Sequence, residues 1–221
     1  MKSKIKKTYG IIGLGRFGTA LAVHLAESGS EIMVIDASED SIRKLRDYTQ
    51  YAFVIKNGLD KETLEATGIQ DCDVVVVAIG ENIDTSILVT LHLVSMGVKR
   101  VIAKATNADH GEILEKIGAE VVYPERDMAE RLASRLLSER IQNLFELKGD
   151  IDIAEISLPD SFAGKTVLES EIRKKYKLNI IAISRGKDVI TEIRPDEIFD
   201  REDKLIVIGK SENIRKFEAE T

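Results

Sequence analysis

The sequence predicts an α/β protein in which a doubly wound parallel sheet is followed by a small α+β unit. Three observations support this fold class. Strand-like and helix-like segments alternate through the first 125 residues. The run 74–79 is apolar at every position, which is typical of a parallel strand covered on both faces. A glycine-rich turn at residues 13–18 joins the first strand to the first helix, and short alternating strands replace this pattern beyond residue 149.

The composition indicates a compact, acidic protein. The chain has 221 residues, of which 43% are hydrophobic and 32% charged, with a formal net charge of −6. This charge argues against an electrostatic nucleic-acid binder. The single cysteine, Cys72, excludes an internal disulfide and fits a reducing compartment. No apolar run approaches the roughly 20 residues that a membrane-spanning helix needs, so we expect a cytoplasmic location.

Strand and helix patterns follow one another in order through the first part of the chain. The predicted strands are Tyr9–Ile12, Glu31–Ile35, Ala52–Ile55, Val74–Ile79, Val101–Lys104 and Glu120–Tyr123. The predicted helices are Thr19–Ala26, Ser38–Tyr48, Asp60–Ala66, Ile83–Met96 and Ala108–Ile117. Parallel strands place their carboxyl ends at one edge of the sheet, where ligands bind. The residues expected along this rim are Gly13, Asp36, Asn57, Gly80 and Lys104.

The segment 10–18 has the pattern of the phosphate-binding loop of a Rossmann-like fold. Gly13 permits a tight turn, Gly15 lets a phosphate approach the backbone, and Gly18 lets the helix pack closely on the strand. The helix start adds free N–H groups and a partial positive charge. Asp36 is expected to accept hydrogen bonds from an adenosine ribose and to disfavour a 2′-phosphate. The alternatives are an ordinary strand-to-helix turn and, for Asp36, a cap or turn residue.

Two charged side chains are candidates for work at a phosphate. Arg16 lies inside the glycine turn and can make bidentate contacts with a terminal phosphate, or it is a solvated surface charge. Glu125 follows the sixth strand and can hold a cation beside polyphosphate oxygens. An ion pair of Glu125 with Arg126 or Arg131 is the alternative that the residues alone favour.

The pattern changes at Pro124. Met128–Leu147 is predicted as one long helix, whose apolar stripe packs either on its own sheet or on a second subunit. We therefore expect three regions, residues 1–126, 127–148 and 149–221. The last region is predicted to contain strands and one helix: Ile151–Leu158, Val167–Lys175 (the helix), Asn179–Ser184, Val189–Ile193 and Lys204–Ile208.

The sequence lacks the usual catalytic patterns. His24, His92 and His110 do not have metal-ligand spacing, and no tyrosine is followed by lysine four positions later. A nucleotide fold without evident catalytic residues favours sensing over chemistry. A small NAD-dependent oxidoreductase is the alternative. A nucleotide-binding module that regulates a transcription factor or a different transporter is a third interpretation.

Several segments together resemble the RCK/KTN family, the cytosolic regulators of potassium channels and transporters, and in particular its Ktr-type regulatory subunits. The segments are Gly13–Gly18, Val77–Gly80, Leu114–Ala119 and Pro124–Met128, followed by a TrkA-C-like (RCK-C) unit after Gly149. The resemblance implies a TrkA-N domain in which ATP and ADP compete for the glycine-loop site, with NAD(H) bound in some relatives. The nucleotide-binding residues that it implies are Gly13, Gly15, Arg16, Phe17, Gly18, Asp36, Ala37, Asn57, Gly58, Ala78, Ile79, Gly80 and Lys104.

The resemblance also implies an assembly. Dimers are expected to form an octameric ring on the cytosolic face of a dimeric potassium-translocating membrane subunit, so that the chain is cytoplasmic and peripheral to the inner face of the membrane. Arg16 is then expected to contact the terminal phosphate of ATP and Asp36 the ribose. Glu125 is expected to help bind a divalent or monovalent cation at paired nucleotide sites. The helix from Met128 is expected to join subunits.

A second ligand motif lies in the last region. The family motif for cyclic di-AMP is two aliphatics, two spacers, Asp, one spacer, Arg, five spacers, Asn and two aliphatics. It is matched by Val167-Leu168, Glu171 in place of Asp, Arg173 and Asn179-Ile180-Ile181. The resemblance implies that the ligand is contacted by Arg173, Asn179, Ile180 and Pro195. The alternative is that Glu169 and Arg173 form an i,i+4 surface ion pair, worth roughly a few tenths of a kcal/mol.

Overall fold

The computed structural model describes residues 7–56, 59–137, 141–147 and 149–220. The chain divides into two compact units, with the division between Arg126 and Asp127. The strands are β1 (Thr8–Ile12), β2 (Glu31–Asp36), β3 (Tyr51–Val54), β4 (Val74–Val77), β5 (Val101–Lys104), β6 (Glu120–Val122), β7 (Ile141–Glu146), β8 (Ile151–Ser157), β9 (Asn179–Arg185), β10 (Asp188–Ile190) and β11 (Lys204–Lys210). The helices are α1 (Arg16–Glu27), α2 (Glu39–Arg43), α3 (Lys61–Thr67), α4 (Ile83–Ser95), α5 (Ala108–Ile117), α6 (Pro124–Leu137), α7 (Val167–Ser170), α8 (Ile172–Tyr176) and α9 (Ser211–Glu218).

The sheet of the first unit has the predicted doubly wound topology. In the described part of this unit, six parallel strands follow the order β3-β2-β1-β4-β5-β6. Ile11 of β1 lies beside Val34 of β2 and Val76 of β4. The strand order therefore reverses between β1 and β4, and the crevice outside their carboxyl ends is the expected ligand position.

The two faces of this sheet are covered by separate hydrophobic clusters. Ile12 packs with Val77, Leu93 and other side chains of β4, α4 and α5. The adjacent Ile11 points to the opposite face, where it packs with residues of α1, β2 and α2. Neighbouring strand residues face opposite sides of a sheet, which explains why both isoleucines are buried. Burial on both faces holds the ends of β1 and β4 in place.

The Asp73 carboxylate, just before β4, forms hydrogen bonds with the start of β1 and with Lys99. It accepts hydrogen bonds from Thr8 N at 3.1 Å and from Lys99 Nζ at 2.8 Å. The bond from Lys99, followed by the bond from the Thr8 backbone, lowers the pKa of Asp73 to about 2. A folded-state pKa below the ordinary value means that this stabilisation is present above about pH 4 and is lost as the pH falls toward 2.

We expect Lys99→Met to raise the pKa of Asp73 toward its ordinary value. Stability should then depend less on pH between about pH 4 and pH 2, because the carboxyl groups of the folded and unfolded chains titrate over nearly the same range. NMR titration of the Asp73 carboxyl and thermal unfolding across this range measure both effects. An Asp73 pKa that is unchanged in this variant contradicts the assignment.

The second unit is built on an antiparallel sheet. In its described part, five strands follow the order β10-β9-β11-β8-β7. Ile214 and Phe217 of α9 pack with Phe162, Leu205 and Val207 in its core. Among the helices that the structure describes, in either unit, none has both the length and the apolar character of a membrane span.

The predicted helix Met128–Leu147 is wrong from Ile141 onward, and its residues 138–140 lie outside the described part of the chain. Helix α6 begins earlier, at Pro124, and Ile141–Glu146 is strand β7, antiparallel to β8. The apolar positions of this segment fit helical spacing when they are considered alone. Strand β8, however, would otherwise present an unpaired edge, and pairing with β7 satisfies its backbone groups.

The predicted helix Val167–Lys175 is also interrupted. It is divided into α7 and α8 by Glu171, whose φ of 48° lies in the left-handed region. Ile172, the first residue of α8, is 2% exposed and belongs to the core of the second unit. The break thus allows Ile172 to enter the core while Leu168 of α7 remains 71% exposed.

Candidate functional site

The glycine turn between β1 and α1 is packed as tightly as its sequence predicts. Gly13 has a φ of 94°, which favours glycine, and its N–H donates to Ile35 O at 2.8 Å. A Cβ atom on Gly18 would lie 1.9 Å from Gly13 O and 3.2 Å from Ala78 Cβ. Gly18 therefore lets the first turn of α1 approach the loop more closely than any other residue permits.

The start of α1 is open to a ligand. Gly15 is the N-cap, it forms no side-chain capping hydrogen bond, and a Cβ atom built on it would meet nothing within 4 Å. Arg16 is exposed, and Phe17 is half-buried. The first backbone N–H groups of a helix have no partner within it and carry a partial positive charge, so this end suits an anion.

Asp36, at the end of β2, is joined to the glycine turn. Its Oδ2 accepts a hydrogen bond from Leu14 N at 2.5 Å, and its Oδ1 accepts one from Ser38 N at 2.7 Å. The bond from Ser38 N gives Asp36 the turn role that the sequence offered as an alternative. The bond from Leu14 N was not predicted. Each carboxylate oxygen retains a further lone pair, so the side chain can hold the turn in place and still accept a ribose hydroxyl.

The other side of the crevice is formed after β4. Ala78 N donates to Ile12 O at 2.7 Å, and a Cβ atom on Gly13 would lie 3.1 Å from Ile79 N. Gly80 approaches Lys104, because a Cβ atom at this position would be 3.4 Å from Lys104 Nζ. The predicted rim residues of β1, β4 and β5 are thus brought together.

Glu125 has a partner that the sequence did not suggest. Lys104 Nζ donates to Glu125 Oε1 at 2.5 Å, and the Lys104 side chain is only 12% exposed whereas that of Glu125 is 65% exposed. This hydrogen bond lowers the pKa of Glu125, and the positive charge of Arg16 acts in the same direction. Arg126, one of the expected partners, stacks on the Tyr123 ring at 3.9 Å. Lys104 and Glu125 therefore form one charged edge of the crevice.

Three further residues predicted to bind the nucleotide are Asn57, Gly58 and Ala37. Asn57 and Gly58 lie outside the described residues. Ala37 is exposed between Asp36 and Ser38, where its backbone but not its methyl group can serve a ligand. Among the described residues, no three His, Cys, Asp or Glu side chains are grouped so as to hold a metal ion.

The second unit contains a groove at the predicted cyclic di-AMP motif. Its volume is about 450 Å³. All four predicted contact residues line it, together with three further charged side chains that include two cations. The predicted residues are Arg173, Asn179, Ile180 and Pro195, and the additional charged ones are Glu171, Lys174 and Arg194. Three cations and one carboxylate give this groove a positive balance that suits an anionic ligand.

The surface ion pair considered for Glu169 and Arg173 is replaced by another arrangement. Glu169 accepts a hydrogen bond from Thr166 N at 2.8 Å, and its own N–H donates to Thr166 Oγ1 at 3.1 Å. This reciprocal capping box begins α7. Since the helix breaks at Glu171, Glu169 and Arg173 no longer occupy i,i+4 positions of one helix.

Some site residues were missed by the sequence reasoning. Thr19 Oγ1 donates to Leu14 O at 2.9 Å and so supports the glycine turn. Its position directly after Gly18 was a usable signal. Arg194 was also missed, although it precedes the predicted Pro195 and carries a charge suited to phosphate.

The fold and these two sites define a class of protein: a Rossmann-type domain with an open glycine turn at the start of its first helix, followed by a small domain with a cationic groove. Comparison with known proteins agrees with this class. The TrkA-N domain model matches residues 9–124, and the TrkA-C domain model matches residues 153–221. The chain therefore belongs to the TrkA-N/TrkA-C family.

Two relatives from one bacterium are named as potassium uptake proteins. Ktr system potassium uptake protein C of Bacillus subtilis (strain 168) is 42% identical over 215 residues, which cover 97% of both chains. Ktr system potassium uptake protein A of the same organism is 33% identical and covers 97% of this chain and 96% of that protein. These names describe transport proteins, and the chain belongs with them and not with a family of enzymes.

A solved structure shows the same fold for the first unit. The TrkA-N domain of the inner membrane protein ybaL from Escherichia coli has a TM-score of 0.51 and 21% sequence identity. The match covers 61% of this chain and 99% of that domain. At this identity the similarity concerns the fold alone.

Proposed function

We propose that the chain is a nucleotide-sensing regulatory subunit that gates a potassium channel or transporter. The proposal rests on the turn at Gly13–Gly18. Gly18 lets the first turn of α1 pack directly against Gly13, and the start of α1 remains open to a ligand. The relatives named as Ktr potassium uptake proteins supply the biological setting. The ligands proposed for this turn are ATP and ADP, with NAD(H) as the further candidate.

ATP and ADP are distinguished by one phosphate and its charge. Arg16 is exposed at the first position of α1, where its guanidinium can reach a terminal phosphate. Asp36 favours an unmodified ribose, since a 2′-phosphate would meet its negative charge. If Arg16 engages only the longer nucleotide, the two ligands stabilise different subunit arrangements. Such differential binding is what shifts a conformational equilibrium.

A cation at Glu125 requires more than one chain. In the part of the subunit that the structure describes, no group of three acidic, histidine or cysteine side chains could hold a metal ion, and Glu125 Oε1 already accepts a hydrogen bond from Lys104 Nζ. We therefore propose Glu125 only as one contributor to a cation site at paired nucleotide sites, where a second subunit supplies further oxygen ligands.

We further propose that the groove in the second unit takes cyclic di-AMP. Arg173 and Arg194 provide charge for its phosphates, while Ile180 and Pro195 offer apolar surface for a base. Glu171 keeps the carboxylate of the motif, pairs with Lys174 at 2.8 Å and occupies a left-handed position. A two-fold symmetric ligand matches a two-fold dimer of such grooves.

Assembly into a ring on a membrane partner is the remaining part of the proposal. Apolar side chains on three helices of the first and second units are strongly exposed, as expected for surfaces that pack on other subunits. They are Leu88, Leu91, Ile113, Met128, Leu132, Leu136 and Leu137. We propose dimers that assemble into an octameric ring, located in the cytoplasm against a potassium-translocating membrane subunit.

The test is a calorimetric titration of the full chain with ATP, ADP, NADH and cyclic di-AMP. We expect ATP and ADP to compete for one site and cyclic di-AMP to bind independently of both. Tight binding of NADH alone, with turnover of small carbonyl compounds, would instead support the oxidoreductase alternative. Co-purification with a membrane protein separates the transport role from regulation of a transcription factor.

We expect Arg173→Ala to lower the affinity for cyclic di-AMP by about tenfold or more, because a charged hydrogen bond to phosphate is worth roughly 1.5–3 kcal/mol. Binding of ATP should be unchanged. Lys187→Ala, in the exposed turn after β9, removes the same charge outside the groove and serves as the control. Equal affinities of both variants and the wild type contradict the placement of the ligand.

A further inference from the structure

We infer that Arg185 is a positioning residue for the ligand groove of the second unit. Its guanidinium holds the segment 194–203 so that Arg194 and Pro195 form one wall of the groove. The inference rests on the proposed cyclic di-AMP function, and it assigns to Arg185 no contact with the ligand itself.

Arg185 ends β9 and contacts several acceptors of one segment. Its Nε and Nη2 donate to the two carboxylate oxygens of Asp203 at 2.9 and 2.8 Å, and its Nη1 donates to Glu197 Oε1 at 3.2 Å. Nη2 also donates to Ile198 O at 2.9 Å, and Asp200 Oδ2 lies 2.9 Å from Nε. The planar guanidinium, with several donors in fixed directions, suits this set of acceptors.

The segment held by Arg185 has little regular structure of its own. Between β10 and β11 the described chain contains one isolated bridge, from Ile198 to Thr166. A segment with so few strand hydrogen bonds takes its position from individual tertiary contacts, which here are those of Arg185 and those of the buried Phe199 with Gly164 and Lys165. Asp203, at its end, has a fully buried carboxylate, so the charge of Arg185 is needed there to balance it.

The segment forms the groove wall through backbone hydrogen bonds to α7. Leu168 N donates to Pro195 O at 3.0 Å, and Val167 N donates to Glu197 O at 2.9 Å. Glu197 therefore accepts two hydrogen bonds: its backbone carbonyl accepts one from α7, and its carboxylate accepts one from Arg185. This residue is the direct link between the guanidinium and the groove.

The position of Arg185 on β9 links its contacts with the segment 194–203 to the ligand groove. Asn179 and Ile180, which line the groove, lie at the start of the same strand. Arg185 thus ties the strand that carries one side of the groove to the segment that carries the other. Binding sites need their side chains within about 0.5 Å of the productive geometry, so a displaced wall lowers affinity without the loss of a ligand contact.

Two substitutions separate positioning from simple charge balance. Arg185→Lys keeps a positive charge beside Asp203, so the unit is expected to fold, but an ammonium cannot contact Asp203, Glu197 and Ile198 O together. Glu197→Gln keeps the backbone carbonyl and removes only the charge that faces Arg185. The control is Arg201→Lys in the same segment, where Arg201 pairs with Asp160 at 3.0 Å and is 77% exposed.

The measurements are calorimetric titration of the full chain with cyclic di-AMP and hydrogen exchange of the Val167 and Leu168 amides. For Arg185→Lys we expect about tenfold weaker binding and faster exchange of both amides, with a smaller change of the same kind for Glu197→Gln. Arg201→Lys should match the wild type in both measurements. Wild-type exchange in Arg185→Lys overturns the inference even where thermal stability falls, and so does an equal loss of affinity in the control.

Failure of the proposed function gives a different result. If cyclic di-AMP does not bind the wild type, the ligand assignment is wrong, and the exchange measurement alone decides the role of Arg185. Faster exchange of both amides in Arg185→Lys, but not in Arg201→Lys, then supports the positioning role. Equal exchange in the two variants overturns it.

Discussion

Gly18→Ala is expected to abolish nucleotide binding and to lower the free energy of unfolding by about 3 kcal/mol. The added methyl carbon would lie 1.9 Å from Gly13 O and 3.1 Å from the carbonyl carbon of the same residue. Both neighbours are backbone atoms, so the turn itself has to move. Denaturant unfolding and calorimetric titration with ATP measure the two losses.

Gly15→Ala is the matched control for this substitution. A methyl group here would meet no atom within 4 Å, and the backbone, with φ −66° and ψ −169°, is accessible to alanine. We expect the stability to stay within about 0.5 kcal/mol of the wild type. Nucleotide affinity should still fall, because the methyl group occupies the approach of a phosphate to the backbone.

The two glycine variants therefore separate packing from ligand approach. Wild-type stability of Gly18→Ala would contradict the close contact in the turn. Wild-type affinity of Gly15→Ala would show that the phosphate does not approach this residue. The pair distinguishes a phosphate site from an ordinary strand-to-helix turn, which was the alternative drawn from the sequence.

Arg16→Glu is expected to remove the preference for ATP over ADP. If Arg16 contacts the terminal phosphate, its charge contributes roughly 1.5–3 kcal/mol to ATP and much less to ADP. Calorimetric titration gives the ratio of the two dissociation constants. In this variant we expect the preference for ATP to be lost or reversed, because repulsion replaces attraction where the additional phosphate lies.

Two further variants control this measurement. Arg16→Gln removes the charge without reversing it and should give an intermediate ratio. Arg46→Glu makes the same change of charge at an exposed residue after α2 and should leave the ratio unchanged. A wild-type ratio in Arg16→Glu would refute Arg16 as the residue that distinguishes the nucleotides, and the guanidinium would then be a surface charge.

Much of the fold follows from local sequence signals. The bounds of Val101–Lys104 and Ala108–Ile117 agree with the prediction to the residue. The helix has Asn107 as its N-cap and ends at Gly118 in the left-handed conformation, and both signals lie next to the element they delimit. The predictions of the doubly wound sheet and of the family are also confirmed. Both were based on the alternation of strands and helices and on the glycine turn, which neighbouring residues specify.

Local patterns failed where a distant partner decided the outcome. The segment 141–146 has apolar residues at helical spacing, yet it forms a strand that pairs with β8. Glu125 has arginines nearby in sequence, yet its carboxylate binds Lys104, which lies 21 residues away at the end of β5. The ligand roles of the site residues stay predictions until the titrations are made.

The sequence by itself determined the position of the glycine turn and the alternation of strands and helices, and it located the motif at residues 167–181, since each depends on neighbouring residues. Only the tertiary structure decided that Asp36 accepts a hydrogen bond from the glycine turn, that Lys104 donates to Glu125 and that Arg185 donates to Asp203. Each of these contacts joins residues from different elements. Its formation depends on how strand ends and irregular segments meet in space, which spacing along the chain does not specify.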